Sequence, residues 1–225
     1  MTPTPFQLST PLIAASILSA DFGRLAAEIE DVDDGGADFL HLDVMDGHFV
    51  PNISFGPAVT RSVRRVTDAF LDVHLMIDEP VRYAPAFLKA GADGLTFHAE
   101  VVEDVAATAT ELRRLDCKHI GITINPATDI DKLLPALEHV DHVLIMSVVP
   151  GFSGQKFMSE VLPKCEAIKK RLRPEQRLEI DGGINVNTIK SARSAGVDWF
   201  VVASAIFGET DRAAAIASLR KALES

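Results

Sequence analysis

A histidine and an aspartate, His41 and Asp43, stand two positions apart in an otherwise mostly apolar segment. Alternate side chains of a β-strand share a face, so these two would lie on one face with Phe39 and Met45. A strand buried on both faces rarely carries an imidazole beside a carboxylate, because unpaired polar groups lose their hydration there. The pair therefore predicts a site, and its spacing lets both side chains bind one ion.

The same alternation recurs around a second histidine, and a later apolar run ends in another aspartate. If the strands concerned end at one place, a single ion could bind four side chains: His41, Asp43, His74 and Asp181. Two imidazoles and two carboxylates suit a divalent transition metal with positions left for a substrate, and they leave zinc, iron, manganese and cobalt open. A lone histidine would more simply hydrogen-bond inside the core, but four such residues at strand ends favour a metal site.

Three segments rich in glycine and other small residues form a second group of candidates. Glycine lets backbone N–H groups approach an anion closely, and a helix N-terminus adds a favourable field. These segments therefore predict a phosphate-binding site. Ser153 is no candidate nucleophile, because the G-x-S-x-G spacing and a paired base are missing. The residues concerned are Gly151, Phe152, Ser153, Gly154, Gly182, Gly183, Ala203 and Ser204.

Short β-branched runs alternate with amphipathic stretches along the whole chain. The predicted strands are Leu12–Leu18, Asp38–Val44, Phe70–Met76, Gly94–Ala99, His119–Asn125, His142–Val148, Arg177–Asp181 and Trp199–Ala203. The predicted helices include Phe22–Gly35, Pro80–Ala90, Glu103–Leu115, Glu160–Leu172, Val186–Ala195 and Asp211–Leu223. Eight such units in 225 residues, with Gly-Ala-Asp or Gly-Val-Asp recurring at strand entries, predict one (β/α)8 TIM barrel domain over residues 1–225. A doubly wound sheet is the alternative, but its glycine fingerprint is missing after the first strand.

Barrels of this kind carry their functional residues at the carboxyl ends of the strands. The four ligand candidates would meet there, beside the loops after strands six to eight and a short phosphate-binding helix at Ser204–Phe207. Ser16, at the end of the first strand, would hydrogen-bond the substrate or a ligand carboxylate. Three strand-end methionines would give the site a polarizable lining poor in water: Met45, Met76 and Met146.

The other histidines and one further aspartate fit structural roles better. His98 has no partner fixed by spacing, and His48 lies in a predicted loop. Asp46 falls outside the alternating set and is assigned to the same loop. Three histidines near strand starts, at the end of the barrel that governs stability, are assigned no role: His119, His139 and His142.

Composition excludes several classes of function. The formal net charge of −10 and the single Trp and single Tyr argue against a nucleic-acid partner. No apolar run reaches the roughly 18 residues that a membrane span needs. Cys117 and Cys165 lack ligand spacing and are expected to be reduced thiols. The N-terminus lacks the features of a signal peptide, so we expect a cytoplasmic enzyme, or one of the plastid stroma with its transit peptide removed.

Six segments, in chain order, match the motifs of a known family: Ser16-Ile-Leu-Ser-Ala-Asp-Phe22, His41-Leu-Asp-Val-Met-Asp-Gly-His-Phe-Val-Pro-Asn52, His74-Leu-Met76, Pro150-Gly-Phe-Ser-Gly-Gln155, Asp181-Gly-Gly-Ile184 and Ser204-Ala-Ile-Phe207. Over nearly its whole length the chain resembles the ribulose-phosphate 3-epimerases. The resemblance implies interconversion of D-ribulose 5-phosphate and D-xylulose 5-phosphate, in the pentose phosphate pathway and, where present, the reductive one. It also implies a phosphorylated ketose substrate, one divalent metal ion per subunit, and a homo-oligomer between dimer and hexamer.

Three positions depart from the family pattern. The family commonly has Gly where Ser153 stands, Asn or Glu at the place of Val149, and Gly at the place of Ala203. Backbone N–H groups survive all three changes, so the predicted phosphate site survives and only its affinity is affected.

The resemblance and the ligand candidates agree on one chemistry. Epimerising a carbon beside a ketone removes a proton from one face and returns one to the other. Asp43 and Asp181, facing each other across the barrel, would be both metal ligands and proton carriers, one protonated at a time. The ion would bind the C2 oxygen and the C3 hydroxyl and act as a Lewis acid for the enediolate.

Three other functions compete with this one. An allulose 6-phosphate 3-epimerase would use the same barrel and metal ligands. A related sugar-phosphate decarboxylase would carry a lysine between its aspartates on strand three, where this chain has Asp72-Val-His74. A non-catalytic sugar-phosphate-binding protein is disfavoured by the intact set of ligands.

Overall fold

Eight parallel strands pair in chain order, and the last pairs with the first to close a barrel. The computed structural model describes residues 3–224 of the chain. The (β/α)8 fold predicted from the sequence is confirmed. The strands are β1 Leu12–Ser16, β2 Phe39–Met45, β3 Leu71–Met76, β4 Gly94–His98, β5 His119–Ile124, β6 His142–Met146, β7 Arg177–Asp181 and β8 Trp199–Val202.

Helices occupy most of the connections between strands. The predicted helix at Pro80–Ala90 is found with the same bounds, whereas the helix at Pro57–Arg64 is not among those predicted. Between β5 and β6 the described residues form only two 3-10 turns, at Ile130–Lys132 and Leu134–Ala136. Within residues 3–224, no helix is long and apolar enough to cross a lipid bilayer. The α-helices are α1 Leu25–Asp34, α2 Pro57–Arg64, α3 Pro80–Ala90, α4 Val105–Arg114, α5 Leu162–Lys169, α6 Ile189–Ser194, α7 Ser204–Phe207 and α8 Arg212–Glu224.

Two strands end two residues earlier than their apolar runs predict. β1 stops at Ser16 because residues 17–19 form a 3-10 turn, in which the Leu18 N–H donates to Ser16 Oγ at 3.3 Å. β6 stops at Met146, two residues short of Val148. In both cases a residue just beyond the strand, Leu18 or Val148, lines the cavity at the carboxyl end of the barrel. The premature ends therefore help to build the site.

The recurring aspartate at strand entries has a structural cause. It lies just before an even-numbered strand, and its carboxylate accepts a hydrogen bond from a backbone N–H near the start of the preceding odd-numbered strand. Before Asp38, Asp93 and Asp198, a glycine two residues earlier ends the previous helix where the backbone turns left-handed, as at Gly196 with φ of 93°. The four bonds, each from N to Oδ2, are Ile13 to Asp38 (2.7 Å), Leu71 to Asp93 (2.9 Å), Ile120 to Asp141 (2.7 Å) and Leu178 to Asp198 (2.9 Å).

The interior of the barrel changes along its axis. At the amino end, buried aromatic rings pack edge to face, with the Phe39 and Trp199 centroids 5.1 Å apart. Next comes a layer of polar side chains, each fully buried: Asp72, Thr96, His142 and Glu179. His142, which the sequence assigned no role, is 2.9 Å from the Thr96 hydroxyl. This layer directly underlies the carboxyl end, because two of its members precede His74 and Asp181 by two residues on the same strands.

Candidate active site

The four predicted ligands meet at the carboxyl end of the barrel. Each can offer one nitrogen or oxygen such that all four atoms lie within 4.8 Å of one another. The register of β2 and β3 places Asp43 directly beside His74, and barrel closure brings β7 to the other side of them. We call this set the ligand cluster: His41, Asp43, His74 and Asp181.

His41 has one nitrogen engaged and one free. Its Nδ1 lies 2.8 Å from Asp72 Oδ2 in the polar layer. Its Nε2 lies 3.4 Å from Asp43 Oδ1 and, although buried, has no hydrogen-bond partner among the described residues. Burial alone would lower the pKa of His41, but the carboxylates of Asp43 and Asp72 raise it well above its ordinary value. A buried nitrogen that faces carboxylates without a partner fits a metal ligand whose tautomer is set by the carboxylate behind it.

Asp43 lies at the centre of the cluster. Its Oδ2 accepts a hydrogen bond from Ser16 Oγ at 2.6 Å, and its Oδ1 is 3.0 Å from His74 Nδ1. Ser54 fixes the strand end beneath it by donating to the Asp43 carbonyl at 2.6 Å. Burial would raise the pKa of the Asp43 carboxyl, but His41 and His74 outweigh burial and hold it well below its usual range.

Asp181 has a different electrostatic environment. Burial and the negative charge of Asp43 raise its pKa to about 7, although His41 acts in the opposite direction. Two aspartates within 4.8 Å of each other are thus pushed toward opposite protonation states. Such a separation is the usual sign of an acid and a base that act together.

A cavity of about 240 Å³ opens above the cluster. Ser16, Asp43 and Asp181 line it. The three predicted methionines line it as well, each at most 3% exposed: Met45, Met76 and Met146. His41 and His74 are not in the lining, and both are fully buried behind Asp43. The structure therefore places His74 within reach of an ion but not in the surface that faces a substrate.

The glycine-rich segments line the same cavity. All eight predicted residues are present there: Gly151, Phe152, Ser153, Gly154, Gly182, Gly183, Ala203 and Ser204. The short helix predicted at Ser204–Phe207 is found as α7. Gly183 has φ of 65°, and a Cβ there would lie 2.5 Å from the backbone nitrogen of Phe157, so only glycine fits. We call these segments the glycine loops.

Three polar side chains that fix the glycine loops were not predicted as site residues. Asn52 Nδ2 donates to the Gly151 carbonyl at 2.7 Å and so ties the loop after β2 to the loop after β6. Gln155 Nε2 donates to the Val149 carbonyl at 2.7 Å. Ser147 Oγ donates to the carbonyls of Asp181 (2.9 Å) and Gly182 (2.7 Å). No periodicity marks such residues, because their partners are backbone atoms that only the folded chain brings near.

Two residues that the sequence assigned to structure have defined partners. Asp46 accepts hydrogen bonds from the backbone N–H groups of His48, Phe49 and Asp78, which fits a loop residue. His98 Nε2 lies 2.8 Å from His74 Nε2, so His98 is joined to the ligand cluster after all.

Comparison with known proteins adds independent findings. The model of the Ribulose-phosphate 3 epimerase family matches residues 12–207. A ribulose-phosphate 3-epimerase of Mycobacterium bovis is 50% identical over 214 residues, which cover 94% of this chain and 92% of that protein. One of Bacillus subtilis is 47% identical over 212 residues, covering 92% and 97%.

A solved structure shares the fold at much lower identity. The 3-keto-L-gulonate-6-phosphate decarboxylase of Vibrio cholerae superposes with a TM-score of 0.72 at 17% identity, covering 96% of this chain and 98% of that one. At this identity the likeness shows the barrel fold alone.

Proposed function

The chain belongs to the ribulose-phosphate 3-epimerase family, and from that premise we propose that it interconverts D-ribulose 5-phosphate and D-xylulose 5-phosphate through a metal-assisted proton transfer at C3. The observation that carries the proposal is the pair of aspartates in one cavity, each beside the histidines of the ligand cluster. The family is one of isomerases, so the chain is an enzyme. The metal, the proton carriers and the substrate contacts are the proposed part.

Asp43 and Asp181 are the proposed proton carriers. One carboxylate takes the proton from C3 on its face, and the C–H electron pair forms a C2–C3 double bond as the ketone becomes an enediolate. The other carboxyl group returns a proton to C3 from the opposite face. Strands β2 and β7 lie across the barrel from each other, which supplies the two faces. The opposite protonation preferences of the two groups support these roles.

The residues present fit a divalent metal ion. His41 Nε2, His74 Nδ1 and the carboxylates of Asp43 and Asp181 would hold it, and zinc, iron, manganese and cobalt all accept such ligands. When bound, such an ion supplies positive charge that acts as a Lewis acid toward the substrate oxygens. The orphaned Nε2 of His41 is the observation that best supports this assignment.

The apolar part of the cavity serves the same step. Three methionines beside the aspartates leave little room for water near C3. Exclusion of water strengthens the electrostatic interactions within the site and protects a reactive enediolate from stray protons. Ser16, through its bond to Asp43 Oδ2, orients that carboxylate.

The glycine loops are the proposed binding site for the substrate phosphate. They line the same cavity as Asp43 and Asp181, so a ketose phosphate that fills it can contact both groups at once. Val149, Ser153 and Ala203 leave every backbone N–H in place, as argued from the sequence. A homo-oligomer, a cytoplasmic location and a place in the pentose phosphate pathway remain predictions that complete this proposal.

Elemental analysis and metal exchange test the proposal directly. Protein purified without chelator should contain about one divalent ion per chain. Removal of the ion should abolish turnover of D-ribulose 5-phosphate, and zinc, iron, manganese or cobalt should restore it. Full turnover by metal-free protein would refute the metal assignment. A higher rate with allulose 6-phosphate than with ribulose 5-phosphate would refute the proposed substrate.

A further inference from the structure

A row of buried side chains leads away from the ligand cluster across β4, and the proposed chemistry does not use it. His74 Nε2 lies 2.8 Å from His98 Nε2, and His98 Nδ1 lies 3.3 Å from Glu100 Oε2. We propose that Glu100 and His98 are positioning residues that fix the tautomer of His74, so that His74 presents an unprotonated Nδ1 to the cluster. This inference rests on the proposed metal site.

The hydrogen bonds of Glu100 determine which nitrogen of His98 carries the proton. Its Oε1 accepts from the Asn125 backbone N–H at 2.7 Å and from the Thr128 hydroxyl. An ionised carboxylate only accepts hydrogen bonds, so the His98 nitrogen that faces Oε2 must carry the proton. His98 is therefore protonated on Nδ1, and its Nε2 is left as an acceptor.

The proton on His74 follows from the same reasoning. Two imidazole nitrogens 2.8 Å apart need one proton between them, and His98 Nε2 carries none. The proton must lie on His74 Nε2, which leaves a lone pair on Nδ1. Without an ion that lone pair would repel the ionised Asp43 Oδ1, 3.0 Å away, so this arrangement is that of the metal-loaded protein, in which both atoms would bind the ion. The opposite arrangement would aim an unprotonated His98 Nδ1 at a carboxylate, where two lone pairs repel each other. A metal ligand needs the free lone pair that the first arrangement provides.

The position of the His98 ring is also fixed. It is fully buried, stacks on His74 with centroids 5.0 Å apart, and is covered by Phe49 at 4.5 Å. The other ligand histidine, His41, has its tautomer set in a single step by Asp72. Both histidines of the cluster are thus backed by a carboxylate, one directly and one through a second histidine, and outer partners of this kind commonly change metal affinity 10–100-fold.

The test compares Glu100→Gln with Thr128→Val. The Asn125 N–H still needs an acceptor, so the new amide must turn its NH₂ group toward His98, which inverts both tautomers and protonates His74 Nδ1. Thr128→Val removes another bond to the same carboxylate and leaves the His98 side unchanged. We expect Zn²⁺ affinity, measured against a competing chelator, to fall about 10–100-fold in Glu100→Gln and no more than about threefold in Thr128→Val.

The ring nitrogens of the wild-type protein loaded with Zn²⁺ give a second readout. With ¹⁵N-labelled histidine, NMR should show His74 protonated on Nε2 and His98 on Nδ1. His98 protonated on Nε2, or equal Zn²⁺ affinities for the two variants, would overturn the inference. A wild-type protein that binds no Zn²⁺ would instead contradict the proposed function. The NMR result also stands if Glu100→Gln does not fold.

Discussion

The two sides of the cavity present different chemical groups to its interior. The side formed by β1 to β4 presents side chains joined by hydrogen bonds, centred on Asp43, His41 and His74. The side formed by β6 to β8 presents the backbone of the glycine loops and contributes Asp181 to the ligand cluster. The first side suits a metal ion and proton transfer, whereas the second suits an anion. A sugar phosphate needs both.

The comparison is sharpest between the two aspartates. Asp43 lies among histidines, which favour its ionised form over the cost of burial. Burial and the like charge of Asp43 oppose ionisation of Asp181, and its pKa rises to about 7. The same residue type therefore acquires two opposite protonation preferences from its surroundings. The predictions below test each side in turn.

Loss of either carboxylate should have the largest effect. Asp43→Asn and Asp181→Asn should each lower kcat about 10³-fold or more, because each removes a proton carrier and a metal ligand at once. A coupled assay of xylulose 5-phosphate formation measures this loss. Asp46→Asn, in the loop beside Asp43, is the matched control and should stay within about tenfold of wild type. If Asp181→Asn kept a tenth of the wild-type rate, Asp181 would not be a proton carrier, and the proton transfer would not need both sides of the cavity.

A smaller but selective effect is expected on the backbone side. In Gly183→Ala the new Cβ would clash with the Phe157 backbone and hold an L residue at φ of 65°, which costs roughly 1–2 kcal/mol before the clash is counted. The displaced loop should raise KM for the sugar phosphate about tenfold or more while kcat changes less. Gly36→Ala, at φ of 90° with open space and away from the cavity, should leave both constants unchanged. Equal kinetics for the two variants would contradict a phosphate site in the glycine loops.

The side-chain network should also contribute to stability in a way that depends on pH. Burial would raise the pKa of Glu100, but bonds from His98, Thr128 and Asn125 lower it from 4.5 to about 2. Between these values the unfolded chain binds the proton more readily, so the contribution is complete above pH 4.5 and is lost as the pH falls toward 2. In urea denaturation of metal-free protein, Glu100→Gln should be less stable than wild type by about 1–3 kcal/mol at pH 7, and by less at pH 3. A difference that does not change with pH would contradict these bonds.

The smallest predicted effect concerns the link between the two sides. Asn52→Ala removes the hydrogen bond to the Gly151 carbonyl, worth about 1 kcal/mol, and should raise KM a few-fold with kcat nearly unchanged. Asn187→Ala changes an exposed asparagine two residues after Asn185, which lines the same cavity, and is the control. Identical KM values would show that the loop after β6 needs no support from the loop after β2.

Sequence patterns predicted the ligand cluster but not the hydrogen bonds that support the site. The alternation around His41 and Asp43 sets which face each side chain occupies, and barrel closure then brings β7 opposite, so the ligand cluster followed from strand geometry. The connection between His74 and His98 did not, because the two lie on different strands and no spacing links them. The bond from Asn52 to Gly151 joins residues 99 positions apart and was equally inaccessible. The 3-10 turn that ends β1 early depends on a local side-chain bond that competes with the strand.

The proton transfer between Asp43, C3 and Asp181 is the central claim, and one measurement tests it most directly. The enzyme is allowed to convert D-ribulose 5-phosphate in D₂O, and the xylulose 5-phosphate formed is examined by ¹H NMR at C3. The account predicts deuterium at C3 of the product, because the returning proton comes from a carboxyl group that has exchanged with solvent. Product that retains all of its original hydrogen at C3 would contradict the two-aspartate mechanism.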